Sequence, residues 1–340
     1  MRQPKNETLM FAAAGMGVLL ATGSFLRRRR YDLQGKTVVT TGGSRGLGLG
    51  LAREFAHEGA RIAICARDEA TLQRAQKTLA EQQINALAVR CDVTDQAQVD
   101  GLVHTIRRHL GPIDVLVNNA GTIAVGPMEL MTLEDYEKAM QLHFWAPLYT
   151  TLAVLPEMRQ RGEGRIVNIA SVGGKISVPH LLPYSTSKFA LVGFSAGLRT
   201  ELAKDGIAVT TVCPGLMRTG SPRNATFKGQ HQAEYTWFSI SDALPFLSMN
   251  TQRAARQIVT ACQRGDGEVV LSLPAQFAVK VHGLFPTLSA EFLSAVNKLL
   301  PAPGGIGKRQ ASGRESASSL SPSWLTTLGD RAAQRYNQVA

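Results

Sequence analysis

Cysteine is scarce in this chain: four residues in 340, at positions 65, 91, 213 and 262. They lie far apart and form no C-x-x-C pair, so neither a zinc ribbon nor a dithiol redox centre is indicated, and no metal site is expected. They read as structural thiols of a chain kept in a reducing compartment. Acidic groups are the minority, 26 against 37 Lys and Arg, for a net charge of +11. That excess sits at the ends. Residues 1–30 carry six basic groups and one acid, residues 301–340 five and two, which leaves +3 for the 270 residues between. A nearly balanced body with no basic stripe and no aromatic-interleaved patch excludes nucleic acid as the partner.

Long apolar runs are missing too, with one exception. Residues 9–26 carry no charge, and four arginines at 27–30 follow directly. As a helix this run would be about 27 Å long, close to the roughly 30 Å of a bilayer's hydrocarbon core. It reads as a single-pass membrane anchor, with the arginines holding the following body on the cytoplasmic side. A cleaved signal peptide and a surface-lying helix are the alternatives; the arginines oppose the first.

What the chain does have is 44% apolar residues and an unbroken alternation of strand and helix patterns from about 36 to 272. That alternation predicts one α/β domain, a doubly wound parallel sheet of about seven strands with helices on both faces. Residues 273–300 read as a helical extension. Residues 275–284 are almost wholly apolar, and Leu288, Phe292, Ala295, Val296 and Leu299 recur at helical spacing. Packing on the domain, a dimer contact and a membrane contact all remain open for it. The Pro, Gly and Ser content of 301–323 predicts a flexible tail, with a short helix over 324–336.

The chemistry begins at residues 41–48, T-G-G-S-R-G-L-G, between an apolar strand and a helix. Glycines there allow a sharp turn and close approach to a pyrophosphate, which the first N–H groups of the helix can bind. Further along come Asp92-Val93, then V-N-N-A-G at 117–121, Ser171 after a strand, and Y-S-T-S-K at 184–188. Tyr184 and Lys188 are four apart and share a helix face.

In this order the motifs resemble the short-chain dehydrogenase/reductase family, over about residues 33–272. The resemblance implies a Rossmann-type fold and an oxidoreductase. Tyr184 is expected as general acid and base, and Lys188 as the cation that lowers the phenol's pKa and binds the nicotinamide ribose. Ser171 is expected to orient the substrate oxygen. The resemblance also implies that Thr41, Gly42, Ser44, Arg45, Gly46, Leu47 and Gly48 cradle the dinucleotide, and that Asp92 and Val93 meet the adenine. Asn118, Asn119, Ala120 and Gly121 are expected along the cleft, and Pro214, Gly215 and Thr219 around the nicotinamide. One position departs from the family. Where its members usually carry an asparagine that holds a relay water, this chain has His143, which predicts an altered proton relay.

The second strand ends Ala66-Arg67, with no acid where NAD-preferring relatives have one. With Arg45, this points to NADP(H) through charge-assisted contacts to a 2′-phosphate, although Asp68 stands close by. The segment 216–250 is long for a connection and reads as a lid. Its Phe227, Tyr235, Trp237, Phe238 and Phe246, with Val178, Leu181, Leu182 and Met217, suggest an apolar cleft for a lipophilic carbonyl or alcohol. The alternative is a membrane-tethered NADP(H)-binding regulator or scaffold with little turnover. A homodimer or homotetramer is open. The G-x-x-G-x-x-G spacing of sugar-nucleotide epimerases is absent.

Overall fold

The computed structural model describes residues 30–245, 247–318, 321 and 326–339. The apolar run 9–26 and Phe246 lie outside them. The strands are β1 Thr37–Thr41, β2 Arg61–Ala66, β3 Ala86–Arg90, β4 Val115–Asn118, β5 Ala124–Val125 and β6 Gly164–Ile169. They continue with β7 Ile207–Pro214, β8 Met217–Arg218, β9 Thr226–Phe227, β10 Met249–Asn250, β11 Glu268–Leu271 and β12 Ala311–Ser312. The helices on the N-terminal half are α1 Gly46–His57, α2 Glu69–Ala80, α3 Gln96–Leu110, α4 Leu133–Met140 and α5 Ala146–Arg161. Then come α6 Leu182–Leu202, α7 His231–Ala243, α8 Thr251–Arg264, α9 Leu273–Leu284, α10 Pro286–Asn297 and α11 Thr327–Arg335.

Seven strands form one parallel sheet in the order β3-β2-β1-β4-β6-β7-β11. Alternate residues feed opposite faces, as a pleated strand requires. Val38, Ile62, Ile64, Val115 and Val117 pack with α1, α2 and α8, whereas Val39, Ala63, Cys65 and Leu116 pack with α3, α5 and α6. Both faces are therefore dry, which is why these strands read as near-continuous apolar runs. The winding reverses between β1 and β4. Their carboxyl ends open the crevice where ligands bind in such sheets.

Two small sheets cap this crevice. β8 pairs with β10, and β9 lies between β5 and β12. The second pairing corrects the expectation of a flexible tail for 301–323 at its residues 311 and 312. Ala311 and Ser312 run antiparallel to Phe227 and Thr226. Ala333 and Tyr336, in and after α11, are buried. Gly220 has no side chain to keep Ala333 away, and Arg53 stands over the Tyr336 ring at 5.5 Å. These contacts join positions more than eighty residues apart, so composition does not register them. Among the described residues no helix is long and apolar enough to cross a membrane.

Candidate active site

The glycine turn connects β1 to α1. Gly42 has φ +62°, and a Cβ there would press on the Ala120 backbone at 2.9 Å. A Cβ on Gly48 would overlap the Gly42 carbonyl oxygen. Only glycine fits either place. Arg45 precedes α1 and gives it no side-chain cap, so the helix N-terminus is left to other acceptors. One is internal: Gly46 N–H donates to the Tyr336 carbonyl at 2.8 Å. Asn337 donates its amide to Ser44 O at 2.8 Å, and Gln338 accepts from the Asn224 amide. A strap of residues 336–338 thus lies on the turn.

Across the crevice, Asn119 ties the end of β4 to the turn. Its N–H donates to Thr41 Oγ1 at 3.0 Å, and its amide donates to Thr41 O and Gly42 O. Asn118 instead points into the sheet, bonding Asn168 and Thr150, and is buried. It braces β4 against β6 and α5, which corrects its expected place in the cleft. Pro214 ends β7, followed by Gly215 against Ser272 and Ala275, and Thr219 is buried nearby.

At the rim, Arg67 lies 3.7 Å from Asp92, and Arg45 donates to Asn224 at 2.9 Å. Asp92 turns one carboxylate oxygen back on Thr94. Asp68 caps α2, accepting the Thr71 N–H at 2.7 Å. Those bonds to Thr71 hold its carboxyl below the usual range.

Ser171, Tyr184 and Lys188 meet where β6 ends and α6 begins. Ser171 Oγ accepts the Gly173 N–H at 3.0 Å and stands beside the Tyr184 phenol. Lys188 Nζ sits 5.7 Å from the Tyr184 ring centroid and donates to the Ile169 carbonyl at 2.8 Å. Burial pushes the phenol's pKa up, and the Ser171 hydroxyl pulls it back. Burial also lowers the ammonium to about 7. The three side chains can therefore hold a carbonyl oxygen and move a proton at it.

The profile of the family described as short chain dehydrogenase matches residues 36–228. The chain belongs to this family. It is 35% identical over 271 residues to a dehydrogenase/reductase SDR family protein 7-like of Anopheles gambiae, covering 78% of this chain and 83% of that one. A putative ketoacyl reductase of Streptomyces coelicolor is 40% identical over 186 residues, 54% of this chain and 71% of its own. Among solved structures, L-sorbose reductase from Gluconobacter frateurii, complexed with NADPH and L-sorbose, superposes with a TM-score of 0.64. It is 29% identical, and the match covers 72% of this chain and 97% of that one.

His143 is the residue for which an altered proton relay is expected. It lies on a π turn, Gln141–Trp145, between α4 and α5. Its ring stands edge-on to Tyr184, 5.4 Å between centroids. Nε2 accepts the Thr122 N–H at 3.2 Å, and Nδ1 lies 2.8 Å from Ser187 Oγ, which itself donates to the Tyr184 carbonyl. That assigns the proton to Nδ1. Burial first, then the Lys188 charge, hold its pKa well below 6.5. Both nitrogens are engaged, and Lys188 Nζ bonds Ile169 instead. This geometry favours a neutral brace over the expected proton relay.

The lid differs from its sequence reading as well. Phe227, Tyr235 and Phe238 are buried together with Val125, Leu181 and Ala225. They form a satellite core behind the site rather than a cleft wall. Val178 and Trp237 stay partly exposed and pack, with Tyr184, on that cluster. Two buried polar contacts, one histidine–carboxylate hydrogen bond and one ion pair, had no signal in the sequence, because their partners are far apart. His180 Nδ1 meets Glu234 at 2.7 Å, with Trp237 Nε1 on the other carboxylate oxygen. Lys228 meets Asp135 at 2.5 Å. The first pins α7 to the loop before Tyr184, and the second pins β9 to α4.

Proposed function

We propose that this protein is an NADP(H)-dependent oxidoreductase acting on a carbonyl or secondary alcohol. The observation that carries the reading is the meeting of Ser171, Tyr184 and Lys188 at the carboxyl end of the sheet, beside the glycine turn. When bound, the nicotinamide supplies or accepts the hydride. Ser171 orients the substrate oxygen. Tyr184 gives that oxygen a proton in reduction and removes it in oxidation. Lys188 places positive charge beside the phenol and would bind the nicotinamide ribose when the cofactor is present. His143 keeps the α6 backbone at Tyr184 in register through Ser187. It leaves the triad free, which favours turnover over a purely regulatory role.

The residues present fit the phosphorylated dinucleotide. Arg45 and Arg67 would flank the adenosine end, and Asp68, the acid next to Arg67 in the chain, is occupied in capping α2. NADP(H) should bind at least tenfold more tightly than NAD(H), about 1.4 kcal/mol, within reach of one charge-assisted bond. Fluorescence titration of both cofactors measures this. Equal affinities, or an Ala66→Asp variant with no shift toward NAD(H), would contradict it.

A lipophilic substrate suits the partly exposed Val178 and Trp237 beside Tyr184. We place the enzyme on a membrane through residues 9–26, with its body on the cytoplasmic side. The support is the uncharged run and its arginine border. Full-length protein should stay in the membrane pellet after alkaline carbonate. Complete release into the supernatant would end the anchor reading.

A further inference from the structure

Helices α9 and α10 form a hairpin that hardly uses the body. Ala275 is the only buried residue of α9, and α10 buries none. Leu273, Phe277 and Leu284 are 78%, 71% and 74% exposed; Leu288, Phe292 and Leu299 are 65%, 67% and 86% exposed. Each trio has the spacing i, i+4, i+11. Eleven residues make three turns, so the first trio is one straight stripe along α9, while Leu288 and Phe292 share a face of α10 and Leu299 stands in the turn that follows it. The partly buried Val281, Leu293 and Val296 are held back from solvent. Two leucine–phenylalanine stripes facing outward make a patch of the kind that marks an interaction site on a soluble domain.

We propose that this hairpin docks on the lipid bilayer, its stripes sunk at the boundary between headgroups and acyl chains. Charge complementarity favours lipid. Between 273 and 300 there are two lysines, Lys280 and Lys298, and one acid, Glu291. On a bilayer the lysine stems lie along the apolar surface while their ammonium groups reach anionic headgroups. A two-fold copy packed on the same face would bring these cations together. The chain outside the described residues points the same way. It contains the uncharged run 9–26 and joins the body at Tyr31, whose N–H donates to Gln263 O at 2.8 Å in the last turn of α8. α8 leads through the edge strand β11 straight into α9. The base of the hairpin, Ala275, abuts Gly215 at the nicotinamide end of the crevice. On the oxidoreductase reading, docking therefore sets the crevice beside the lipid phase, and the substrate class is a carbonyl or alcohol dissolved in it.

The four native cysteines are buried, so a cysteine placed on a stripe can be labelled selectively. Phe277→Cys and Phe292→Cys, each in the full chain, receive a nitroxide in vesicles of phosphatidylcholine with one-third phosphatidylserine. Power saturation compares collisions with oxygen, which concentrates in lipid, and with a water-soluble nickel chelate. At both positions oxygen collisions should outnumber nickel collisions several-fold more than at a Glu81→Cys control on the exposed end of α2. Nickel access equal to the control overturns the proposal. Shielding from both reagents overturns it too, because protein then covers the stripes, either a second copy or another segment. The labels report position whether or not the enzyme turns over, so loss of the catalytic reading and loss of the docking surface are separate results.

Discussion

Tyr184→Phe should lose at least about a thousandfold in kcat while binding NADPH nearly as well as the parent. General acid–base groups contribute roughly 10²–10⁴-fold, and a thousandfold corresponds to about 4 kcal/mol of barrier. The phenol stands beside Ser171 in a pocket whose burial raises its pKa, so it keeps its proton until a substrate oxygen takes it. Nothing else in the triad replaces that proton. Ser171 is held by Gly173 N–H, and His143 has both nitrogens committed. The glycine turn and the rim arginines do not touch the phenol, so affinity for the dinucleotide should change by less than about threefold, under 1 kcal/mol. The pair of measurements is a single-turnover rate and a fluorescence titration on the same preparation. Turnover within tenfold of the parent would remove Tyr184 from the mechanism.

The second large effect is on stability as well as rate. Lys188→Met should abolish turnover and yet raise the melting temperature of the cofactor-free protein. Lys188 is buried, donates to one carbonyl, and has no paired carboxylate among the described residues. Its folded pKa of about 7 lies below the lysine value of 10.5. Between those values the unfolded chain binds more protons than the folded one, so stability rises with pH across that window. Below about pH 7 both states hold the proton and the full burial cost persists. A methionine of similar length removes that cost, on the order of a few kcal/mol near pH 7, and flattens the slope from pH 7 to 10.5. Melting curves at pH 7 and pH 10 for both proteins test this. A variant that melts lower at pH 7 would mean that the ammonium is held by more than the Ile169 carbonyl.

The parts of the site written in contiguous residues were legible before any coordinates. The glycine turn and the spacing of Tyr184 and Lys188 are local consequences of strand, turn and helix geometry. The alternating strand pattern likewise carried the parallel sheet, because its two dry faces demand apolar runs. What escaped depends on partners distant in the chain. Asn118 sits in the same motif as Asn119, yet one faces the sheet interior and the other the crevice, a difference set by Asn168 and Thr150. The lid aromatics read as a cleft because apolar side chains look alike until their neighbours are known. Asp68 was ambiguous until its bond to Thr71 fixed it as a cap. The tail looked flexible because Pro, Gly and Ser dominate it, whereas its hold on the body comes from a few residues, Ala333, Tyr336 and Gln338, that meet gaps left by glycines.

The strap over the glycine turn changes what cofactor uptake means at this site. The Gly46 N–H is already given to the Tyr336 carbonyl. A phosphate oxygen that claims it exchanges a neutral acceptor for a charged one. The gain at that donor is then the difference between two hydrogen bonds, about 1 kcal/mol, rather than the whole of one. Residues 336–338 and a dinucleotide bound at the turn would in this sense be rivals for one N–H.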